Sequence, residues 1–425
     1  MPSSHQSAND LVPDCLVCGE PLGSSATLSL GSLVACNQFE KQVHAHKHPL
    51  SITECAACNL VQLSKYPPVD FVRPRLPWIR YNEPSEHLDA AVGQVKTLFP
   101  AGQAHVAMGV GPFDAPLLDR ITQCGFTRMQ LDLSARLPYE PARYPYLESI
   151  QALLRPDVMA ELASEQGTAK LVLCRYLLEH SHDPVASLQA LGYLMDRDGL
   201  LLIELPDCSK FLSVMDYSFI WEEHICYFTE DTFRACALKA GYEIVQFTRY
   251  PGALEDALVF VLRATSQLPG QNAVKHNRKN SETFIRYRNG FENVRQRYFS
   301  ALQAILVGGG KKVAIFGAGH QSIMFVNALG LAQQISYAID DAPEKIGYLI
   351  PGTSIKIVPS EHLLRDPSID VCLLGVVPNI EEKIRSKCAS YLNRGGRMYT
   401  IFPGAGRVTI MDAKNEKNES YQEIR

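Results

Sequence analysis

The sequence contains no run of about 18 apolar residues, so no membrane-spanning segment is expected. Positive charge is not in excess either, since 41 lysines and arginines stand against 45 aspartates and glutamates, for a formal net charge of −4. A basic footprint for nucleic acid is therefore missing. The first residues, Met-Pro-Ser-Ser-His-Gln, lack the basic and apolar regions of a signal peptide. These absences predict a cytoplasmic protein with no membrane or nucleic-acid partner, and they leave monomer and homodimer open.

Cysteine, by contrast, is plentiful, with twelve residues. In a chain without an export signal, reduced thiols or a metal site are favoured over disulfides. Two Cys-x-x-Cys pairs, Cys15 with Cys18 and Cys55 with Cys58, are separated by 36 residues, which suits a closed tetrahedral zinc site. Coincidental cysteines are the simpler alternative, and the unpaired ones are interpreted as small buried hydrophobes. Three histidines between the pairs are alternative ligands: His44, His46 and His48.

At 425 residues the chain is too long for one hydrophobic core, and two to three domains are expected. The stretch from Ala104 to Pro206 has the order strand, glycine turn, helix, strand, carboxylate. Its turn carries Gly109 and Gly111, and its second strand ends in Asp132. This order is typical of adenosine binding, because glycines admit the ligand to the backbone and the carboxylate accepts hydrogen bonds from ribose. The sequence therefore predicts a nucleotide site on an α/β sheet.

A second unit of the same kind follows near the C-terminus. The apolar strand Lys312–Phe316 leads into Gly317-Ala-Gly319-His320, a helix, and a strand ending in Asp340 and Asp341. Read alone, this unit is compatible with a dinucleotide site, and an NAD(P)-dependent oxidoreductase is one alternative. A long amphipathic helix with an aromatic stripe is predicted between the two units, over Glu282–Leu306.

After the third strand of the central unit comes Leu178-Glu179-His180-Ser-His-Asp-Pro, and Asp198-Gly199 precedes the fourth. Here the sequence resembles class I S-adenosylmethionine-dependent methyltransferases. The resemblance implies that Gly109, Gly111 and Asp132 hold S-adenosylmethionine. Two positions depart from the family pattern: Ala107 stands where an acidic residue is usual, and Phe113 where a third glycine is expected.

The wider order of a four-cysteine module, a methyltransferase core and a second Rossmann-like unit is similar to that of nucleotide-sugar C-methyltransferases. These enzymes act on keto-deoxysugars in antibiotic and surface-polysaccharide pathways. The best motif is Ile220-Trp-Glu-Glu-His-Ile-Cys-Tyr-Phe228. The resemblance implies that His224 is the proton-abstracting base, that Glu223 is its neighbour in the site, and that His180 lies near the substrate. Trp221 replaces the family's tyrosine and removes a hydroxyl from the site.

The residues agree with this chemistry. Methylation of a carbon beside a carbonyl needs an enolate, and therefore a base that titrates near neutral pH, which is a property of histidine. The glutamates before His224 are expected to raise its basicity. The alternatives are a relative that binds nucleotide without methyl transfer, and an O- or N-methyltransferase.

The fold expected is α/β: a class I methyltransferase Rossmann-like domain with an N-terminal four-cysteine zinc module and a C-terminal second Rossmann-like domain. The domain boundaries predicted are 11–75 for the zinc-binding module, 76–265 for the methyltransferase domain, 266–308 for a linker helix and 309–410 for the C-terminal domain.

Overall fold

A computed structural model of the protein describes residues 14–23, 26–43, 46–79, 83–100, 102–137, 150–265, 278–307 and 309–413. His44, residues 11–13 of the predicted zinc module and residues 266–277 of the predicted linker lie outside these ranges. The described strands form three sheets, one for each predicted folded unit. The boundaries given above stay a prediction.

The N-terminal sheet is antiparallel and has the strand order β1-β2-β3-β8. Its strands are β1 Thr27–Leu33, β2 His48–Glu54, β3 Val61–Leu63 and β8 Cys226–Tyr227. The last of these belongs to the sequence motif around His224, and it pairs through Val61 opposite Tyr227. The cysteine module is therefore joined by backbone hydrogen bonds to the segment that carries the proposed base.

The central sheet has the order β5-β4-β6-β7-β10-β9, parallel except at β10 and β9. Its strands are β4 His105–Gly109, β5 Phe126–Gln130, β6 Ala169–Arg175, β7 Met195–Asp207, β9 Tyr242–Tyr250 and β10 Asp256–Ala264. Every strand predicted in this unit is present, with ends shifted by a few residues. Because the ends of parallel strands meet at one edge, the turns after β4, β5 and β6 come together.

The C-terminal sheet is parallel throughout, with the order β13-β12-β11-β14-β15. Its strands are β11 Lys312–Phe316, β12 Tyr337–Ile339, β13 Lys356–Val358, β14 Ile369–Leu374 and β15 Arg397–Thr400. The central strand β11 has the predicted bounds, and its side chains from Val313 to Phe316 are buried.

Helices cover the sheets. They are α1 Val69–Val72, α2 Leu88–Lys96, α3 Ala115–Thr122, α4 Pro156–Gln166, α5 Pro184–Leu191, α6 Ser209–Val214, α7 Glu230–Lys239, α8 Arg278–Leu306, α9 His320–Ala328, α10 Ser360–Arg365, α11 Pro378–Lys387 and α12 Ala389–Asn393. Short 3₁₀ turns include Leu178–His180 and Tyr217–Phe219. None of the described helices combines the length and apolarity needed to cross a bilayer.

The connecting helix α8 packs by its aromatic stripe. Phe284, Tyr287 and Tyr298 are buried, and the hydroxyl of Tyr298 donates to the carbonyl of Ile401 over 3.2 Å. Tyr287 also accepts, through its carbonyl, a hydrogen bond of 2.6 Å from the Tyr217 hydroxyl. The helix is thus held to the central unit at one end and to the C-terminal unit at the other, which confirms the packing role expected of the stripe.

Candidate active site

Four cysteine sulfurs converge at the base of the N-terminal module. Cys15 Sγ lies 3.4 Å from Cys58 Sγ, and Cys18 Sγ lies 3.5 Å from Cys55 Sγ. No disulfide joins them, and all four sulfurs lie within 4.8 Å of one another. Tetrahedral zinc with bonds of about 2.3 Å requires sulfurs about 3.8 Å apart, so the cluster has the size of such a site.

The two cysteine turns have the same backbone geometry. In the first, the N–H of Gly19 donates to the carbonyl of Cys15 over 2.9 Å, and in the second the N–H of Asn59 donates to that of Cys55 over 2.9 Å. Gly19 and Asn59 both have positive φ, 81° and 65°. Glycine and asparagine adopt this conformation most readily, which explains why they follow the second cysteine of each pair.

The glycine turn after β4 is braced by a carboxylate that the sequence analysis did not single out. Asp114 is fully buried, and its Oδ2 accepts hydrogen bonds from the N–H groups of Val110 (2.8 Å) and Gly111 (2.6 Å). Its Oδ1 accepts a third from the N–H of Arg175 over 2.8 Å. Burial raises the pKa of Asp114 to about 7 despite these donors. The turn is therefore tied to the end of β6.

Gly109 and Gly111 have different steric surroundings. A Cβ on Gly109 would lie 2.9 Å from both Asp114 Cβ and Gln130 Oε1, so packing inside the turn demands glycine there. On Gly111 a Cβ would come no closer than 3.7 Å to another group. Asp132 lies two residues after the end of β5. The residue between them, Leu131, donates a hydrogen bond of 2.9 Å from its N–H to the carbonyl of Gly109. The three predicted cofactor residues thus lie on one edge of the sheet, with the Asp132 carboxylate exposed.

Rings from two units form a cluster around His224. The ring centroid of His224 lies 4.9 Å from that of His180 and 4.9 Å from that of Trp221. Trp221 also stacks on His320 of the C-terminal unit, with centroids 4.4 Å apart and planes inclined by 24°. The N–H of Ile225 donates to the carbonyl of Glu179 over 2.8 Å and so joins the segments that carry His224 and His180.

The two glutamates before His224 are held by the cysteine module. Glu223 Oε1 accepts a hydrogen bond of 2.8 Å from Asn37 Nδ2, and Glu222 accepts one from the N–H of Cys36. All of these residues are buried. The N-terminal module therefore contributes polar contacts to the predicted active-site motif.

The pKa of His224 is shifted in the direction opposite to the one expected from its neighbouring glutamates. Burial lowers its pKa well below the ordinary value of 6.5, and the nearby imidazoles of His180 and His320 lower it further. The prediction that the adjacent glutamates raise its basicity is wrong in sign, because desolvation and imidazole repulsion outweigh any carboxylate attraction. His224 is consequently neutral at pH 7 and able to accept a proton.

A carboxyl group nevertheless lies close to this imidazole. Ligand atoms of Glu179, His180 and His224 lie within 4.8 Å of one another. Burial raises the pKa of Glu179 well above 4.5, and its Oε2 has no hydrogen-bond partner among the described residues. Two histidines and a carboxylate are also a ligand set for divalent metals, so this triad can be read either as an acid–base group or as a metal site.

The glycine turn of the C-terminal unit is closed by its own acidic residue. Asp340 Oδ2 accepts hydrogen bonds from the N–H of Ala318 over 2.9 Å and from Lys345 Nζ over 3.0 Å. Gly317 has φ of 95°, and a Cβ there would lie 2.8 Å from the carbonyl oxygen of Gly375. The carboxylate in the position that binds ribose in dinucleotide sites is therefore already paired within the turn.

Comparison with known proteins covers both Rossmann-like units. Residues 108–247 match the family described as a methyltransferase domain, and residues 271–403 match the C-methyltransferase C-terminal domain. The C-methyltransferase NovU of Streptomyces niveus is 25% identical over 266 residues, 60% of this chain and 63% of the relative. The central and C-terminal units are therefore similar to domains of S-adenosylmethionine-dependent methyltransferases.

Two solved methyltransferase structures are similar to part of this chain. The 1,6-didemethyltoxoflavin-N1-methyltransferase of Burkholderia thailandensis has 16% identity over 44% of this chain and 94% of that chain, with a TM-score of 0.26. The mitomycin 7-O-methyltransferase MmcR has 19% identity over 42% and 54%, with a TM-score of 0.28. The chain spans less than two thirds of the length of NovU.

The structure brings His180 and His224 together and places Glu223 against Asn37. Sequence reasoning missed Asp114, Asn37 and His320. A signal existed for Asp114, since it stands three residues after Gly111, where a side chain returns to the N–H groups of a helix start. Nothing local distinguished Asn37 or His320, because their partners lie in other units.

Proposed function

We propose that this protein transfers a methyl group from S-adenosylmethionine to a carbon beside a carbonyl, in a nucleotide-linked keto-deoxysugar, with His224 as the base. The observation that carries the proposal is the neutral imidazole of His224, which lies in the cluster of the His180, Trp221 and His320 rings, where the central and C-terminal units meet. The matched C-methyltransferase C-terminal domain and the name of NovU support transfer to carbon.

The residues present fit the methyl donor. At Gly111 the backbone has no Cβ to hold a ligand away, and the exposed carboxylate of Asp132 follows β5 at the same edge of the sheet, where it can accept hydrogen bonds from ribose. The hydrogen bonds from the side chain and backbone of Ser134 lower the pKa of Asp132 below its ordinary value, so the carboxylate is ionised at neutral pH. When bound, S-adenosylmethionine supplies an electrophilic methyl group.

His224 performs the proton transfer. Its imidazole takes the proton from the carbon next to the carbonyl, and the electron pair of that C–H bond passes into the enolate. The enolate carbon would then form a bond to the methyl group supplied by the donor, whose carbon–sulfur bond would break with the electron pair left on sulfur, so that S-adenosylhomocysteine is released. The imidazolium so formed lies within reach of the Glu179 carboxyl, which can ionise and offset the new charge in the buried site.

The four-cysteine cluster is proposed to hold structural zinc. Four converging thiols leave no open coordination position for chemistry, and the sulfur separations match the metal's size. The ion would hold the two cysteine turns together. The same module carries Asn37, which donates a hydrogen bond to Glu223. We also propose that the protein is cytoplasmic.

A second candidate function is nucleotide binding without methyl transfer. It is favoured by the bracing of the glycine turn, since the N–H groups of Val110 and Gly111 are already occupied by Asp114. Titration calorimetry with S-adenosylmethionine separates the two functions, because absence of heat at sub-millimolar concentration supports the second. An NAD(P)-dependent reaction is not proposed, given the internal pairing of Asp340.

The direct test uses a thymidine-diphosphate-linked 4-keto-6-deoxyhexose as the acceptor with S-adenosylmethionine. Mass spectrometry is expected to show one added methyl group, and NMR is expected to place it on a carbon beside the carbonyl. A methyl group found on oxygen or nitrogen would contradict transfer to carbon.

A further inference from the structure

His320 is the point at which the C-terminal unit enters the ring cluster. It is the first residue of α9, and that helix packs against the 3₁₀ turn Tyr217–Phe219, just before Trp221. The stacking distance of 4.4 Å to Trp221, together with the 4.9 Å from Trp221 to His224, places the His320 ring two ring contacts from the proposed base. The comparisons assign no role to this histidine.

One nitrogen of the His320 ring makes no hydrogen bond within the described part of the fold. His320 Nε2 is buried, and it has no hydrogen-bond partner within the part of the chain that the structure describes. Burial lowers the pKa of His320 to about 3, so the ring is neutral and carries one N–H donor. A buried donor or acceptor without a partner costs free energy, and in a cleft a bound ligand can supply the partner.

The proposed reaction has a matching requirement. Once His224 removes the proton, negative charge develops on the carbonyl oxygen of the acceptor, and a hydrogen-bond donor must stabilise it. The indole of Trp221 stands where the resembled family has a tyrosine hydroxyl. Glu179 lies with the His180 and His224 imidazoles and is assigned to them.

We propose that His320 donates a hydrogen bond to the carbonyl oxygen of the methyl acceptor and stabilises the enolate formed beside His224. No proton is transferred in this contact; the neutral ring keeps its N–H and only shares it. The inference rests on the proposed function, and it makes the C-terminal unit a contributor to the chemistry as well as to substrate binding.

Two substitutions separate hydrogen bonding from ring packing. His320→Phe keeps a flat ring that can stack on Trp221 but removes both nitrogens. His320→Gln loses the ring but restores an N–H donor. With the 4-keto-6-deoxyhexose nucleotide as acceptor, His320→Phe is expected to lower kcat by about 10²- to 10³-fold with a much smaller change in KM. His320→Gln is expected to recover part of that loss.

A matched control is His362→Phe. That histidine also contacts an aromatic ring of the C-terminal unit, Tyr337, at 4.4 Å, so the same change tests general damage to the unit. Its kcat is expected to stay at the wild-type value. Thermal melting of all three variants checks that each is folded.

The decisive readout is deuterium uptake from D₂O at the carbon beside the carbonyl, with S-adenosylhomocysteine in place of the methyl donor. Wild-type uptake and slowed uptake in His320→Phe support the inference. If the wild type takes up deuterium and His320→Phe has the same uptake rate and the same kcat, the role of His320 is overturned, while the proposed function stands. Absence of both uptake and methylation in the wild type overturns the proposed function, and the His320 role with it.

Discussion

Asn37 Nδ2 donates a hydrogen bond of 2.8 Å to Glu223 Oε1, across a sequence separation of 186 residues. The same amide donates to the carbonyl of Val72, and both side chains are buried. The cysteine module is therefore a support for the residue next to the proposed base, in addition to being a separate folded unit. The consequences can be tested at both ends of this contact.

Replacing Asn37 should loosen Glu223 without unfolding the protein. In Asn37→Ala, the buried carboxyl group of Glu223 loses an amide donor, and we expect kcat to fall about tenfold, since losing a buried hydrogen bond costs roughly 1–3 kcal/mol. The control is Lys47→Ala, an exposed position of the same module. Steady-state kinetics and metal content are measured for both. Equal kcat in the two variants would show that the contact does not support the site.

Removing the imidazole of His224 should stop turnover while leaving cofactor binding intact. We expect His224→Ala to lose methyl transfer and deuterium uptake, because no other neutral base is assigned to the site. Calorimetry with S-adenosylhomocysteine should give an affinity within a few-fold of the wild type. Full activity in this variant would remove His224 from the mechanism.

The two glycines of the cofactor turn should respond differently to alanine. Gly109→Ala places a Cβ 2.9 Å from Asp114 and Gln130, and we expect overpacking to lower stability by roughly 1–3 kcal/mol. Gly111→Ala meets its neighbours at 3.7 Å or more and should melt near the wild-type temperature. It should instead weaken binding of S-adenosylhomocysteine, since the added methyl group would hold the ligand away from the backbone of the turn. Unchanged affinity would place the cofactor away from this turn.

Metal analysis should find one zinc ion per chain. We expect Cys55→Ser to lose it, to melt at a lower temperature and to lose activity, because the sheet that contains β8 is anchored in the same module. His180→Ala should keep the single ion. A second stoichiometric metal in the wild type that is absent from His180→Ala would assign Glu179, His180 and His224 to a metal site and contradict the base role.

The pH dependence of kcat/KM tests the state of His224. The base must be unprotonated, and burial places its pKa well below 6.5. We therefore expect kcat/KM to stay level as the pH falls from 8 to 6.5 and to decline only below that range. Circular dichroism at each pH monitors folding. An acid limb centred above 6.5 would mean that a carboxylate raises the basicity of His224 after all.

Much of the fold could be predicted because it is encoded locally. Strand β11 begins and ends at the residues that the sequence predicts. At the start of α7, the side-chain hydroxyl of Thr229 accepts a hydrogen bond from the N–H of Thr232. Apolar runs, glycine turns and caps involve residues a few positions apart, so their spacing reports their structure. The ends of elements are encoded less sharply: the helix predicted over Glu282–Leu306 begins at Arg278 in the structure.

The sequence by itself determined the two cysteine pairs, the glycine turns after β4 and β11, and the motif that carries His224, because each is a short pattern with a physical cause of its own. Only the tertiary structure decided that Asn37 holds Glu223, that Asp114 closes the cofactor turn onto β6, and that His320 stacks on Trp221. These contacts join segments far apart in the chain, and they depend on how the units dock. The burial that lowers the pKa of His224 has the same origin, since desolvation is a property of the assembled site and of no single stretch of residues.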